Sequence, residues 1–121
     1  MTIREGFHTV TPYLITKDLD GLVEFMKRAL GATETFRARG GGGGFHVEMR
    51  VGDSMIMLGG ASRTQNAMLY LYVDDPDAWY QRALDAGATS LLAPTTGGDG
   101  ERRAGTRDPF GNEWHFGKPV A

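Results

Sequence analysis

Cysteine is absent from this 121-residue chain, which excludes disulfides, thiolate catalysis and zinc sites built on Cys. No apolar run approaches the roughly 20 residues that a membrane span needs. The start, Met1-Thr2-Ile3-Arg4-Glu5-Gly6, lacks the apolar core of a secretory signal. A charge excess is missing too. The formal net charge is −2 and no basic run occurs, so neither nucleic acid nor an anionic membrane is an expected partner. These absences predict a soluble, cytoplasmic protein. What remains, 40% hydrophobic and 23% charged residues, suits one domain with a core of its own.

Glycine is the abundant residue, and it punctuates the chain. Residues 8–16 read as a strand, with Val10 and Leu14 on one face and Thr11, Tyr13 and Ile15 on the other. Asp18 caps a helix whose apolar stripe runs Leu19, Leu22, Val23, Met26, Ala29, Leu30, and Gly31 stops it. Residues 33–38 predict a second strand. Gly40–Gly44 is a run of five glycines. It reads as a mobile hairpin loop, because a strand follows it and a phosphate-cradling loop requires a helix. Residues 45–51 alternate cleanly, and 54–58 continue as a strand. Residues 67–73 give the strongest strand pattern. Asp75-Pro76 starts a second helix that ends at Gly87. A short strand at 89–92 leads to a glycine-rich loop at 93–100, long enough for a lid or binding loop. The chain closes on Asp108-Pro109-Phe110-Gly111-Asn112-Glu113-Trp114-His115-Phe116, a tight turn feeding a last strand.

The two halves repeat. Tyr13-Leu14 with Asp18 returns as Tyr70-Leu71 with Asp75; Gly31-Ala32-Thr33 returns as Gly87-Ala88-Thr89; residues 51–57 match 110–116 in character. Each copy reads strand, helix, three strands, so the expected fold is α+β: two βαβββ modules in a single domain over 1–121, module one about 6–60 and module two about 66–118. Each helix buries its stripe on the apolar sheet face. That face is expected to collect Val10, Leu14, Phe45, Val47, Met49, Val51, Leu69, Leu71, Val73, Trp114 and Phe116, with Met55 and Met57 joining by repeat equivalence. The opposite face collects Thr11, Tyr13, His46, Glu48, Arg50, Ile56, Met68, Tyr70, Tyr72, Glu113 and His115. If the sheets curl, this face lines a polar and aromatic cavity, the default ligand site.

Three segments, Gly6-Phe7-His8-Thr9-Val10-Thr11-Pro12-Tyr13-Leu14, His46-Val47-Glu48-Met49-Arg50-Val51-Gly52-Asp53-Ser54 and Asp108-Pro109-Phe110-Gly111-Asn112-Glu113-Trp114, carry a resemblance to the vicinal-oxygen-chelate superfamily. That superfamily includes glyoxalase I, bleomycin- and fosfomycin-resistance proteins and extradiol dioxygenases. More narrowly, the chain resembles its PhnB-like branch. The resemblance implies incomplete β-barrel cavities and a homodimer. It also implies, in metal-dependent relatives, divalent-ion ligands on the first and last strands of each module. By position these fall at Thr11, Ile56, Met68 and His115, of which only His115 ligates well. No cofactor or resident metal is therefore expected, with nickel, zinc, iron or manganese as the alternative.

Three readings stay open. In the first, the protein binds a small organic molecule without the usual metal. Tyr13, Tyr70 and Tyr72 supply aromatic surface, and Thr11, His46, Glu48, Arg102 and Arg103 supply polar contacts. In the second, it is a lyase, isomerase or dioxygenase with His115 as base or metal ligand and Glu113 as partner. In the third, it is a non-catalytic dimeric scaffold.

Overall fold

A computed structural model describes residues 2–40 and 44–120. Most of the glycine run read as a mobile hairpin loop lies outside the described residues. The chain follows the order β1 (Tyr13–Thr16), α1 (Leu19–Leu30), β2 (Thr33–Arg39), β3 (Phe45–Val51), β4 (Ser54–Gly60), β5 (Met68–Tyr72), α2 (Pro76–Asp85), β6 (Thr89–Thr96), β7 (Glu101–Arg107) and β8 (Glu113–Pro119). Two four-stranded sheets result, ordered β1-β4-β3-β2 and β5-β8-β7-β6, neither closed into a barrel. In each, the first strand pairs parallel with the last and the others pair antiparallel. This is the βαβββ module twice. No described helix is long and apolar enough to cross a membrane.

The chain groups into two compact units, one running through Gln65 and the other from Asn66 onward; Arg28–Leu30, the end of α1, group with the second. Local chemistry sets both helices. The Asp18 carboxylate accepts the Gly21 N–H at 2.9 Å, and Gly31 ends α1 in the left-handed region at φ +64. Asp75 caps α2 through the Ala78 N–H at 3.1 Å, with Pro76 in the first turn.

In unit one the buried face carries Leu14, Val47, Met49, Ile56 and Leu58, and Leu22, Val23 and Met26 of α1 are buried too. Arg37, opposite Val47, reaches Asp20 at 3.1 Å and places the helix on this face. In unit two Trp114 and Phe116 are fully buried, with the Trp79 ring of α2 5.8 Å from that of Phe116.

Three sequence expectations are corrected. The first strand starts only at Tyr13, and Val10 stands 83% exposed instead of joining the apolar face. Pro12, with no N–H to give a ladder, marks the boundary. The segment read as a lid over 93–100 is mostly strand: β6 continues to Thr96, paired with β7 through two register shifts, leaving a turn at 97–100. Third, Ile56 faces the core, while Met55 and Met57 share the polar face, because Met49 pairs with Ile56, Glu48 with Met57 and Arg50 with Met55. The second module's turn holds Pro109, Phe110 and Gly111 between Asp108 and Asn112, where the first holds Gly52 and Asp53 between Val51 and Ser54. That extra residue shifts the equivalence by one position. Matching turn glycine to turn glycine therefore inverts the faces of the strand beyond.

Candidate functional site

Each unit presents one polar and aromatic sheet face, and each face holds a histidine bonded to a glutamate. In unit one, alternation along β3 sends His46, Glu48 and Arg50 to the face opposite the helix. Tyr13 of β1 and Met57 of β4 share it, being paired with each other. Glu48 is only 1% exposed. Arg4, from the segment before β1, grips both its oxygens at 2.7 and 2.6 Å. His46 Nε2 lies 2.9 Å from the same carboxylate, and the Tyr13 hydroxyl lies 3.1 Å from His46 Nδ1. The Arg4 hydrogen bonds, and after them the contact from His46, hold the Glu48 carboxyl below its ordinary pKa against the opposing effect of burial. The Arg4 guanidinium also stands 4.8 Å from the centre of the Phe7 ring.

In unit two the pleat of β8 puts Glu113 and His115 on this face and Trp114 and Phe116 in the core. His115 Nε2 lies 2.9 Å from Glu113 Oε1, and Arg107 reaches the other oxygen at 3.2 Å. The His115 contact first, then that of Arg107, lowers the Glu113 pKa. An ionised Glu113 only accepts, so in the neutral imidazole of His115 the hydrogen sits on Nε2 and the lone pair on Nδ1. Tyr70 and Tyr72 stand beside it with ring centres 5.3 Å apart in an edge-to-face contact.

The structure brings Tyr13, His46 and Glu48 into one hydrogen-bonded chain, and His115, Glu113, Tyr70 and Tyr72 onto one face. Thr11 lies outside the strands, its hydroxyl turned back to the His8 carbonyl at 3.1 Å. Arg102 does not join the His115 face: it points to α2 and makes a two-pronged pair with Asp77, at 3.0 and 2.7 Å. Its neighbour Arg103, opposite Gly117, lies on the His115 face and pairs with Asp99.

Sequence reasoning missed Arg4, which sits in a segment without periodicity. It also missed three strand glycines whose lack of a side chain makes room for a ring. A Cβ on Gly59 would stand 2.9 Å from the Tyr13 ring, one on Gly117 would overlap the Tyr70 hydroxyl, and one on Gly105 would come within 2.7 Å of His115 Nδ1 and Cε1. Isolated glycine inside a strand is the available signal. Gly105→Ala should therefore push His115 off its seat. The overpacking costs about 1–3 kcal/mol, more than the roughly 0.4–1 kcal/mol that Gly→Ala returns by stiffening the unfolded chain. The checks are a lower Tm and displaced His115 ring resonances in the NMR spectrum.

A surface depression of about 550 Å³ lies by the start of α1 among Lys17, Asp18, Asp20 and Arg37, and neither Tyr13 nor His46 lines it. Arg37 is already taken by Glu34 and Asp20, so the hydrogen-bonded faces are the better candidate site. A smaller depression of about 170 Å³ has Tyr13, Gly59 and Arg63 in its wall.

The residues do not fit the divalent ion that the superfamily implies. Strand register pairs Tyr70 with His115 and Tyr13 with Met57, so the first-module counterpart of His115 is Met57, correcting the expected Ile56. The four positions are then Thr11, Met57, Met68 and His115. A thioether is a poor ligand for a hard or borderline ion, and the His115 Nε2 is already engaged by Glu113. Among the described residues no three His, Asp or Glu side chains converge as ligands.

Two open four-stranded sheets, each with a helix on one face and a polar, aromatic face on the other, define a protein of paired βαβββ modules. The chain belongs to the Glyoxalase/Bleomycin resistance protein/Dioxygenase superfamily, whose sequence model matches residues 6–116. An uncharacterized protein of Mycobacterium bovis is 33% identical over 92% of this chain and 83% of its own length. Among solved structures, TioX from Micromonospora sp. ML1 superposes with a TM-score of 0.78 at 21% identity, covering 93% of this chain and 99% of that one. Lactoylglutathione lyase from Agrobacterium tumefaciens gives 0.72 at 19% identity, covering 92% of each chain. Likeness at this level of identity extends to the fold alone.

Proposed function

We propose that the protein binds a small organic molecule on these polar, aromatic faces and does so without a resident divalent metal, as a cytoplasmic homodimer of the PhnB-like branch. The observation that carries this is the substitution at the superfamily's ligand positions: Thr11, Met57 and Met68 replace three ligands, and Glu113 engages the one imidazole left, His115. The aromatic surface persists beside them. Tyr13 and Tyr70 each lie over a strand glycine and stand 49% and 41% exposed, apolar bodies with a polar tip that suit an organic ligand. Elemental analysis of the purified protein, with a thermal scan in added nickel, zinc, iron or manganese, tests it. The expected result is less than a tenth of a metal ion per chain, as a rough bound, and no rise in Tm, since a ligand that does not bind the native state cannot stabilise it. One-to-one metal with a raised Tm defeats the proposal.

The His115–Glu113 pair favours a second reading, a lyase or isomerase in which the His115 Nδ1 lone pair takes a proton from the ligand. Loss of turnover in His115→Ala with folding intact would support it over simple binding; unchanged turnover would remove His115 from the reaction.

A further inference from the structure

The hydrogen bonds around His46 set the direction in which a proton moves. Glu48 is buried, and Arg4 grips both its oxygens, so this carboxylate is ionised near neutral pH and only accepts. His46 Nε2, 2.9 Å from it, must then carry its hydrogen. A neutral imidazole protonated on Nε2 has its lone pair on Nδ1. Tyr13 Oη lies 3.1 Å from that nitrogen, so toward the neutral imidazole the phenol is the donor. A hydroxyl, a base within reach of it and a buried carboxylate orienting the base make the arrangement that activates an oxygen nucleophile. Tyr13 is 49% exposed and stands in the wall of the 170 Å³ depression.

Unit two holds the contrast. Tyr70, the counterpart of Tyr13, donates to Glu101 Oε1 at 2.8 Å. Burial first, and then that carboxylate, pushes its phenol above the ordinary range. One fold position thus carries a phenol with a base to receive its proton and, in the other module, a phenol held protonated.

We propose that Tyr13 is a nucleophilic centre for small activated acyl compounds, with His46 taking its proton and Glu48, clamped by Arg4, fixing the His46 tautomer. The step balances within the chain. Tyr13 Oη bonds to the acyl carbon as the phenolic proton passes to His46 Nδ1. The bond to the leaving oxygen breaks, and that oxygen departs as the anion or takes the proton back from His46. Water then hydrolyses the aryl ester and restores Tyr13. Tyr13 is the catalytic residue; His46 and Glu48 act through it. This chemistry goes beyond ligand binding and does not depend on whether a metal-free organic ligand exists.

The test treats the full chain with 4-nitrophenyl acetate and follows acetylation of each tyrosine by peptide mass spectrometry. Tyr72 is the reference, being the more exposed phenol at 69%. Tyr13 should react at least about tenfold faster than Tyr72, since a positioned base contributes ~10²–10⁴-fold, and Tyr70 should lag behind both. His46→Gln keeps an acceptor for the Tyr13 hydroxyl but cannot take its proton, so Tyr13 should fall to the Tyr72 rate while Tyr72 itself is unchanged. Equal rates for Tyr13 and Tyr72 in the wild type, or a wild-type Tyr13 rate in His46→Gln, would overturn the proposal. So would an imidazole ¹H–¹⁵N spectrum showing His46 protonated on Nδ1 near neutral pH, a readout that needs no variant.

Discussion

Asp108→Ala should cost about 3–4 kcal/mol of stability and lower Tm by about 10 °C or more, read by thermal and urea unfolding. Asp108 is 3% exposed and accepts four hydrogen bonds. Its Oδ1 takes the backbone N–H groups of Phe110 and Asn112 at 2.8 and 2.9 Å; its Oδ2 takes the Asn112 amide at 3.2 Å and the Trp114 indole at 2.8 Å. Alanine leaves the Asn112 and Trp114 donors buried without a partner, and a stranded buried donor costs far more than the net worth of its bond. The loss would extend past the turn. Asn112 Oδ1 holds the Ala67 N–H at 3.1 Å just before β5, and Trp114 fixes which face of β8 turns inward, hence where His115 stands. Asp108→Asn keeps two acceptor sites on one oxygen and should lose less. In a double-mutant cycle, Asp108→Ala and Trp114→Phe should cost less together than their separate losses sum to, because either change breaks the same indole bond.

The elements were legible because their signals are local. Asp18 and Asp75 cap where cap residues predict, Gly31 and Gly111 adopt the positive φ that their turns require, and alternation in β3, β5 and β8 separates core from polar face. Long-range register was the weaker part. A residue's face depends on its partner across the sheet, and one extra turn residue before β8 was enough to misplace Met55, Ile56 and Met57. The site was legible as a face rather than as a set of contacts. Tyr13, His46 and Glu48 could be placed together by pleat alone, and so could Glu113 and His115. The pairing of Arg102 with Asp77 could not, because it depends on how α2 lies over β7. Arg4 was invisible for a related reason: its partner lies 44 positions away, and the segment bearing it has no period to announce it.

That arginine makes the second large effect, and its sign depends on pH. Arg4→Ala removes the bidentate partner of a carboxylate that is 1% exposed, leaving His46 as its remaining side-chain donor among the described residues. At pH 7 the variant should melt several degrees below the wild type, because a buried charge stripped of its partner is among the costlier defects a fold can carry. The difference should then close on acidification. In the wild type the folded-state pKa of Glu48 lies below its ordinary 4.5, chiefly through Arg4. The unfolded chain therefore takes up a proton first as pH falls. The associated stability is fully present above about pH 4.5 and is lost as pH drops through the depressed folded value. Removing Arg4 raises that folded value toward the ordinary one, so the variant has less to lose and its acid limb flattens. Melting curves of both proteins from pH 7 down to pH 3 should thus converge at the acid end. A constant gap across that range would mean that Arg4 stabilises through its stacking on Phe7, with the Glu48 charge playing no part.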